Sequence, residues 1–281
     1  MTKRILVGVL IAGSLLATGS TMKIASPEAS SVFIPQGLPM LQVGEVLVYR
    51  VSYSFFHIGQ IIIKVLDKRE EQGRVIYRAK AIIDSAPGFP FVNLHIRFTS
   101  EFDEHLFSYS WIAEDSSADE ILMRKLTFDY DSMKVFLAKG KKTPSDSFIV
   151  ESIDTSNITK HCQDGLSLFY YARAHVRQKK EENVPTFIEK EQVNTFFNFT
   201  NELEDDEIDS VKYPIETVKF DGRADFVGVF GLTGGFRGWF SNDSSEVPIL
   251  ARMNVILGSI KVHLESWHRP GWIPPKFVEK D

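Results

Sequence analysis

The single cysteine of this chain lies in a setting that could support nucleophilic chemistry. Cys162 directly follows His161 and stands two positions before Asp164. A thiolate activated by a histidine can attack a carbonyl carbon, but side chains of sequence neighbours seldom meet in productive contact. No further signature of a cysteine nucleophile accompanies these residues. We therefore predict no catalytic residue here.

The metal-binding patterns are weak as well. The seven histidines are scattered, with no His-Glu-x-x-His spacing and no partner cysteines, so the sequence indicates no zinc site. Glu202–Asp209 carries six acidic residues in eight positions, which we interpret as a solvated loop because like charges repel one another. A calcium site is the alternative, although the segment lacks the ligand spacing and central glycine of a helix-loop-helix calcium motif. We expect no metal and no cofactor.

Paired carboxylates are the third chemistry to consider. A hydrolase could use carboxylates from loops such as Glu114–Asp119, provided that the fold brought them together. The chain has no phosphate-binding GxxxxGK segment and no strand-GxGxxG-helix unit. The sequence therefore favours a non-enzymatic protein.

The first twenty residues predict export. Lys3 and Arg4 precede the apolar run Ile5–Ala17, and the small residue Gly19 follows. An apolar run of about 13 residues is shorter than the roughly 20 that a stable bilayer span needs. We therefore predict a cleavable signal peptide over residues 1–20 and no stable transmembrane anchor.

Charge narrows the choice of partners. The formal net charge is −5 for the full chain, and removal of Lys3 and Arg4 takes it to −7. This balance argues against nucleic acid and against a broad electrostatic membrane surface, but it leaves room for a neutral apolar contact. Cys162 has no second cysteine with which to form an internal disulfide, so stability must come from the core.

The sequence pattern predicts that most of the elements positioning any site are β-strands. From Val46 to Phe55 the odd positions are apolar or aromatic, which is the period of a strand with one buried face. Similar alternation recurs in residues 75–83, 122–130 and 260–264. Such strands, joined by short loops, favour antiparallel pairing. We predict a mainly β fold, a strongly curved antiparallel sheet or partly open barrel with one principal helix.

The principal helix is predicted over residues 165–178. Asp164 can cap its start, and apolar residues then recur at helical spacing. Before the strands, prolines indicate an extended lead-in over residues 21–43. We predict one β-rich domain over residues 44–267, followed by a tail over 268–281.

Two aromatic residues are the candidate ligand-binding positions. Tyr49 lies on the apolar face of the first predicted strand, and Trp239 follows Gly238 in a glycine-rich stretch. Glycines among aromatic residues indicate either close approach of a ligand or a sheet that curves around large core rings, and we favour the second interpretation. We expect both rings to serve folding first and ligand contact second.

Three blocks of sequence lie in one order along the chain. They are GEVLVYRVSY at 44–53, DGLSLFYYAR at 164–173, and GWFSND at 238–243 followed by Pro248 and LGSI at 257–260. Together they resemble the exported bacterial family catalogued as domain of unknown function 3108. The resemblance implies a periplasmic, β-rich protein. It carries over no catalytic residue, because the family has no established activity.

The favoured functional hypothesis is a non-enzymatic periplasmic protein that binds an apolar or lipid-like ligand in envelope maintenance. A curved sheet that closes on one helix offers an apolar concavity for such a ligand. The 22 phenylalanines permit that lining, and they would equally fill an ordinary core. The alternatives are a structural or assembly protein without a ligand and, less favoured, a hydrolase of an envelope polymer.

Overall fold

Fourteen antiparallel strands and one helix make up the part of the chain that the structure describes. The computed structural model covers residues 37–87, 93–224, 226, 232–255 and 258–279 in describable detail. These residues belong to one compact unit, Pro35–Asp281. The predicted signal peptide, most of the predicted lead-in and part of the glycine-rich stretch, residues 227–231, lie outside the described residues.

The first eight strands precede the helix and the last six follow it. The first eight are β1 Val46–Tyr53, β2 Phe56–Glu71, β3 Arg74–Ser85, β4 His95–Phe102, β5 Ser108–Asp115, β6 Leu122–Asp129, β7 Lys134–Lys142 and β8 Phe148–Asn157. The helix α1 spans Gly165–His175. The last six strands are β9 Lys180–Ile188, β10 Glu191–Asp206, β11 Ile215–Ala224, β12 Leu232–Ser241, β13 Pro248–Val255 and β14 Ser259–His268.

The strands form a single sheet with two arms that meet at β1. Each strand pairs with its neighbours in sequence except β8 and β9, which are separated by α1 and form the two edges. Strand β14 returns to pair with β1, so the sheet runs from β8 through β1 and β14 to β9. The sheet does not close, and α1 packs against β3, β4 and β9. The predicted fold class, mainly β with an open, barrel-like antiparallel sheet and one principal helix, is confirmed.

The alternation that predicted β1 holds for most of the strand and fails at its end. Leu47, Tyr49 and Val51 are buried, as expected for one face of a strand. Phe55 is instead 84% exposed, because Ser54 adopts a positive φ of 53° and turns the chain into β2. The expectation that Phe55 lies on the buried face is therefore wrong.

The acidic segment 202–209 is not the solvated loop that its charge predicted. Residues 202–206 form the end of β10 and pair with β11, with Glu202 opposite Lys219. Lys219 reaches Glu202 and Glu204 at 3.7 and 2.9 Å, and His263 lies 2.9 Å from Asp206. Lys219 on the neighbouring strand offsets part of the repulsion between the carboxylates, and His263 of β14 gives Asp206 a polar partner.

Helix α1 begins where its cap predicted. The Asp164 carboxylate accepts hydrogen bonds from the backbone N–H groups of Leu166 and Ser167, and the Ser167 hydroxyl accepts one from the Asp164 N–H. The last helical residue is His175, three positions before the predicted end. No helix in the described part of the chain is long and apolar enough to span a bilayer.

Phenylalanines fill much of the space on the inner face of the sheet. Phe197, Phe199 and Phe220 contact one another, with ring centroids 5.3 to 5.9 Å apart. Gly238 faces Phe220, and a Cβ at Gly238 would lie 2.2 Å from that ring. The described glycine at this position therefore makes room for a core ring, as the favoured interpretation expected.

Segments at both ends of the described chain pack onto the sheet. Met40 and Leu41, at the end of the lead-in, are buried. In the tail, the Trp272 indole N–H donates to Asp243 at 2.8 Å, and Lys276 forms a β-bridge with Ile215. These contacts cover the end of the sheet at which α1 lies.

Candidate functional site

Tyr49 lies in the interior of the sheet. Its ring is almost fully buried, and its hydroxyl donates a hydrogen bond to the Pro248 carbonyl oxygen at 3.1 Å. Burial raises the pKa of the Tyr49 hydroxyl well above its usual value. The side chain is thus a core residue whose polar atom has a protein partner.

Trp239 lies on the outer face of the sheet, although only 6% of its surface is exposed. Its indole N–H donates to the Glu204 carboxylate at 2.6 Å, and the Arg252 guanidinium lies over the ring, 5.7 Å from the centroid. Neighbouring charged side chains therefore cover most of the ring, and the part that remains lines a small polar pocket of about 230 Å³ with Glu204 and Arg252.

The structure does not bring Tyr49 and Trp239 together. Trp239 of β12 stands opposite Leu250 of β13. Leu250 stands opposite His263 of β14, and His263 stands opposite Arg50 of β1. Directly opposed residues share a face of a sheet, whereas successive residues of one strand point to opposite faces. Arg50 directly follows Tyr49, so the two aromatic residues lie on opposite faces and form no common site.

The cysteine triplet does not assemble into a nucleophilic site. The Cys162 thiol is buried and donates to the Lys160 carbonyl oxygen at 3.1 Å, and burial raises the pKa of this thiol to about 12. The His161 ring stacks on Tyr130 at 4.0 Å, and Asp164 caps α1. A thiol with so high a pKa supplies almost no thiolate at neutral pH.

Carboxylates and histidines are distributed in the same dispersed way. Glu114, on β5, forms an ion pair with Lys142 at 3.0 Å. Across the described ranges, no three side chains of the metal-binding types come close enough together to hold an ion.

A polar recess of about 350 Å³ opens on the surface and is larger than the pocket beside Trp239. It lies at the end of the sheet where α1 packs, and three separate segments build it. Arg177 comes from the turn after α1, Asn201 and Leu203 from β10, and Asn242 and Glu246 from the connection between β12 and β13. We call these five residues the polar recess.

Two of the lining residues have backbone conformations that L-residues seldom adopt. Asn201 has a φ of 57° where the pairing of β10 with β11 slips, and Glu246 has a φ of 45°. Positive φ is unusual for a glutamate and is kept only where the surrounding structure enforces it. Such positions concentrate at functional sites, which makes the recess the candidate site of this protein.

Asp243 enforces the conformation of the loop that carries Glu246. One carboxylate oxygen of Asp243 accepts hydrogen bonds from the Ser241 hydroxyl and from the N–H groups of Ser245 and Glu246, at 2.9 to 3.0 Å. The other accepts the indole N–H of Trp272 at 2.8 Å. The loop is therefore held in place before any ligand arrives.

The electrostatics of the recess centre on Glu246. Burial raises the pKa of its carboxyl to about 7, against the lowering effects of Arg177 and Arg173 and with a further increase from Asp243. The carboxyl therefore changes its charge near neutral pH, beside a guanidinium that stays positive throughout.

A buried ion pair lies behind the recess and fixes α1 to β1. Arg173 donates to both carboxylate oxygens of Glu45, at 2.6 and 2.9 Å, and to the Ser245 carbonyl oxygen. Arg269 makes a further ion pair with Glu45. Because Ser245 precedes Glu246, this network positions the loop at the recess as well as the helix.

Sequence reasoning missed the recess entirely. Arg177, Asn201 and Glu246 belong to no motif in the sequence. The nearest signal was the run Ser241-Asn242-Asp243, which is typical of a turn with side-chain to backbone hydrogen bonds. That signal locates a loop and says nothing about what the loop meets.

Comparison with known families identifies the class of the protein. The family described as protein of unknown function DUF3108 matches residues 48–265, which is most of the chain, and the chain belongs to this family. The resemblance seen in the three sequence blocks is therefore confirmed. No curated protein matches the chain.

Among solved structures, the chain is similar to a crystal structure from Brucella abortus. That structure is described as a beta-barrel-like protein of domain of unknown function DUF1849. The two chains share 10% sequence identity, with a TM-score of 0.50, and the similarity covers 80% of this chain and 97% of that one. At this identity the likeness establishes the fold alone.

Proposed function

We propose that this protein is a non-enzymatic, exported protein of the bacterial cell envelope that binds a polar, anionic ligand in the polar recess. Export rests on the signal-peptide pattern of residues 1–20. The single observation that carries the binding role is the recess itself, in which Arg177 and Glu246 converge with two asparagines.

The composition of the recess favours binding over catalysis. Glu246 is the only acid among the described lining residues. The neighbouring Asp243 carboxylate accepts hydrogen bonds from Ser241, Ser245, Glu246 and Trp272, so it is not free to act as the second carboxyl group that hydrolysis by a carboxylate pair needs. Asparagine amides and a guanidinium instead suit a ligand that carries hydroxyl or amide groups together with one negative charge.

The inner face of the sheet offers less support for the apolar ligand predicted from the sequence. Its phenylalanine rings contact one another, which accounts for them as core residues. Binding of an apolar or lipid-like molecule inside the sheet therefore stays a prediction, and our proposal moves the ligand to the recess.

Calorimetry with one acidic and one neutral sugar tests the proposal. N-acetylmuramic acid carries hydroxyl groups, an acetamide and one carboxylate, and N-acetylglucosamine lacks the carboxylate. We expect the acidic sugar to bind more tightly. Its affinity should fall about tenfold between about pH 6 and about pH 8, because Glu246 loses its proton over this range and then repels the ligand.

Two variants and a control complete the test. Arg177→Gln should abolish the preference for the acidic sugar, and Glu246→Gln should remove the dependence on pH. Arg78→Gln is the matched control. Arg78 is an exposed cation of β3 that pairs with Asp67 of β2, away from the recess. Equal binding of the two sugars, or unchanged binding by Arg177→Gln, would contradict the proposal in favour of a structural or assembly role.

A further inference from the structure

Three cations lie side by side on the outer face of the sheet. Arg237 of β12 stands opposite Arg252 of β13, which stands opposite Lys261 of β14. The register continues from Lys261 to Ser52 of β1. Strands are about 4.8 Å apart, so the three positions span about 10 Å. We call Arg237, Arg252 and Lys261 the cation row.

The three cations of the row form no ion pair. Among the described residues, no carboxylate lies within 4 Å of any of them, although Asp221 stands opposite Arg237, and Arg237 and Arg252 line a pocket together with Glu204, Asp205 and Asp206. Like charges on directly opposed residues are destabilising in a sheet. Three aligned cations without an ion pair, in a chain of net negative charge, point to an anionic partner outside the protein.

The cation row leads to the tip of the β1–β2 hairpin. Ser52 stands opposite Lys261, the last member of the cation row. Phe55 follows Ser52 by three residues, at most about 10 Å away along the strand. Phe55 is 84% exposed and Phe56 51% exposed, and their ring centroids lie 4.3 Å apart. These two rings, which we call the aromatic tip, form an exposed apolar surface at a two-residue turn.

We propose that the aromatic tip and the cation row together dock this protein onto the surface of an anionic lipid bilayer. The two rings would enter the boundary between headgroups and acyl chains, and the cations would contact lipid phosphates. Aromatic side chains beside Lys and Arg are the combination that binds such interfaces, because burial of apolar area adds to electrostatic attraction.

The shape of the surface favours a bilayer over a protein partner. The exposed apolar surface is confined to a narrow hairpin turn, whereas protein interfaces have broad, closely fitting contact areas. The polar recess lies at the opposite end of the sheet, beside α1, and would face the aqueous compartment when the tip is docked. The docking inference concerns different residues from the proposed binding function, so each can fail without the other.

Vesicle cosedimentation tests the docking. The full chain is mixed with vesicles of phosphatidylcholine alone, or with about one-third phosphatidylglycerol. We expect tighter binding to the anionic vesicles and weaker binding as salt rises from about 0.05 to about 0.5 M. Every variant is made in the full chain, so that residues 1–20 contribute equally throughout.

Two multiple variants separate the contributions. The triple variant Arg237→Gln, Arg252→Gln and Lys261→Gln should lose about 100-fold in affinity for anionic vesicles and little for neutral ones, at about fivefold for each charge. The double variant Phe55→Ser and Phe56→Ser should lose about tenfold or more on both vesicle types.

A matched control removes the same charge elsewhere. Lys139, Lys141 and Lys190 are outward cations paired with carboxylates, and changing all three to glutamine alters the net charge equally. This control should bind vesicles like the unchanged protein. The docking proposal is overturned if the control loses as much affinity as the row variant, or if phosphatidylglycerol has no effect. It is also overturned if the row binds soluble polyglutamate as tightly as vesicles while the phenylalanine variant binds vesicles normally.

Discussion

The two ends of the sheet differ in which side chains they bury. One end buries ionisable and polar groups, and the other exposes apolar rings. At the helix end, Glu45, Arg173 and Asp164 are ionisable and buried, and each has several hydrogen-bond partners within the chain. At the hairpin end, Phe55 is apolar and exposed, and Lys261 has no carboxylate beside it among the described residues.

This contrast separates side chains that stabilise the fold from side chains that are free to contact a partner. Buried ionisable groups are tolerated only where the protein supplies their hydrogen-bond and ion-pair partners. The groups at the helix end therefore need no external partner and are held in fixed positions. An exposed ring beside cations that form no ion pair gains little from the folded chain alone. The polar recess belongs to the first kind of region and the aromatic tip to the second.

The largest expected effect is at the buried ion pair. Arg173→Ala leaves the Glu45 carboxylate buried with Arg269 as its remaining cation, so the free energy of unfolding should fall by about 3–5 kcal/mol. Urea denaturation measures the loss. Arg69→Ala is the control, because the exposed Arg69–Glu101 pair should contribute less than about 1 kcal/mol. A loss below about 1 kcal/mol for Arg173→Ala would remove the contrast between the two ends.

The next effect concerns the cap of α1. Asp164→Ala removes the acceptor of four hydrogen bonds, from Leu166, Ser167, Ser100 and Ser108, and should lower the free energy of unfolding by about 2 kcal/mol. Asp164→Asn keeps one carbonyl oxygen for the helix N–H groups and should cost less. Equal midpoints in urea for the two variants would show that the cap hydrogen bonds do not stabilise the helix end.

A smaller effect is expected from Glu246. Burial raises the pKa of this carboxyl from 4.5 to about 7 in the folded state, so the unfolded chain releases this proton first as pH rises. The contribution of Glu246 to stability therefore falls between pH 4.5 and about pH 7, by about 1 kcal/mol after allowance for solvent screening. The difference in unfolding free energy between the unchanged protein and Glu246→Gln should follow this course. A difference that does not vary with pH would contradict the assignment.

The smallest effect is expected at the aromatic tip. Phe55→Ala should change the free energy of unfolding by less than about 0.5 kcal/mol, because the ring is exposed before the substitution. The same change at the buried Phe102 should cost about 3–5 kcal/mol. A loss above about 1 kcal/mol for Phe55→Ala would mean that the tip supports the fold, and a role in docking would then lose its basis.

Local sequence patterns predicted the elements well and their environment less well. Alternation identified β1, and Asp164 located the start of α1, because both signals arise from contacts within a few residues. The acidic run was misread for the opposite reason. Its partners, Lys219 and His263, are remote in sequence and come close to it only when the sheet forms.

The candidate site shows the same limit more sharply. Trp239 was chosen for its type and its glycine neighbour, but the register places it on the face opposite Tyr49. The polar recess combines residues from three separate segments, and Glu246 owes its conformation to hydrogen bonds with Asp243. No residue spacing in the sequence predicts that these three segments lie close together.

The sequence by itself determined the strand-rich character of this protein, its one capped helix and its family, because alternation, capping and family motifs are written in consecutive residues. Only the tertiary structure decided that Glu45 meets Arg173 across 128 positions and that Arg237, Arg252 and Lys261 stand in one row. Pairing of β1 with β14 joins the two arms of the described sheet, and the energy of such contacts depends on distances that the order of residues does not contain.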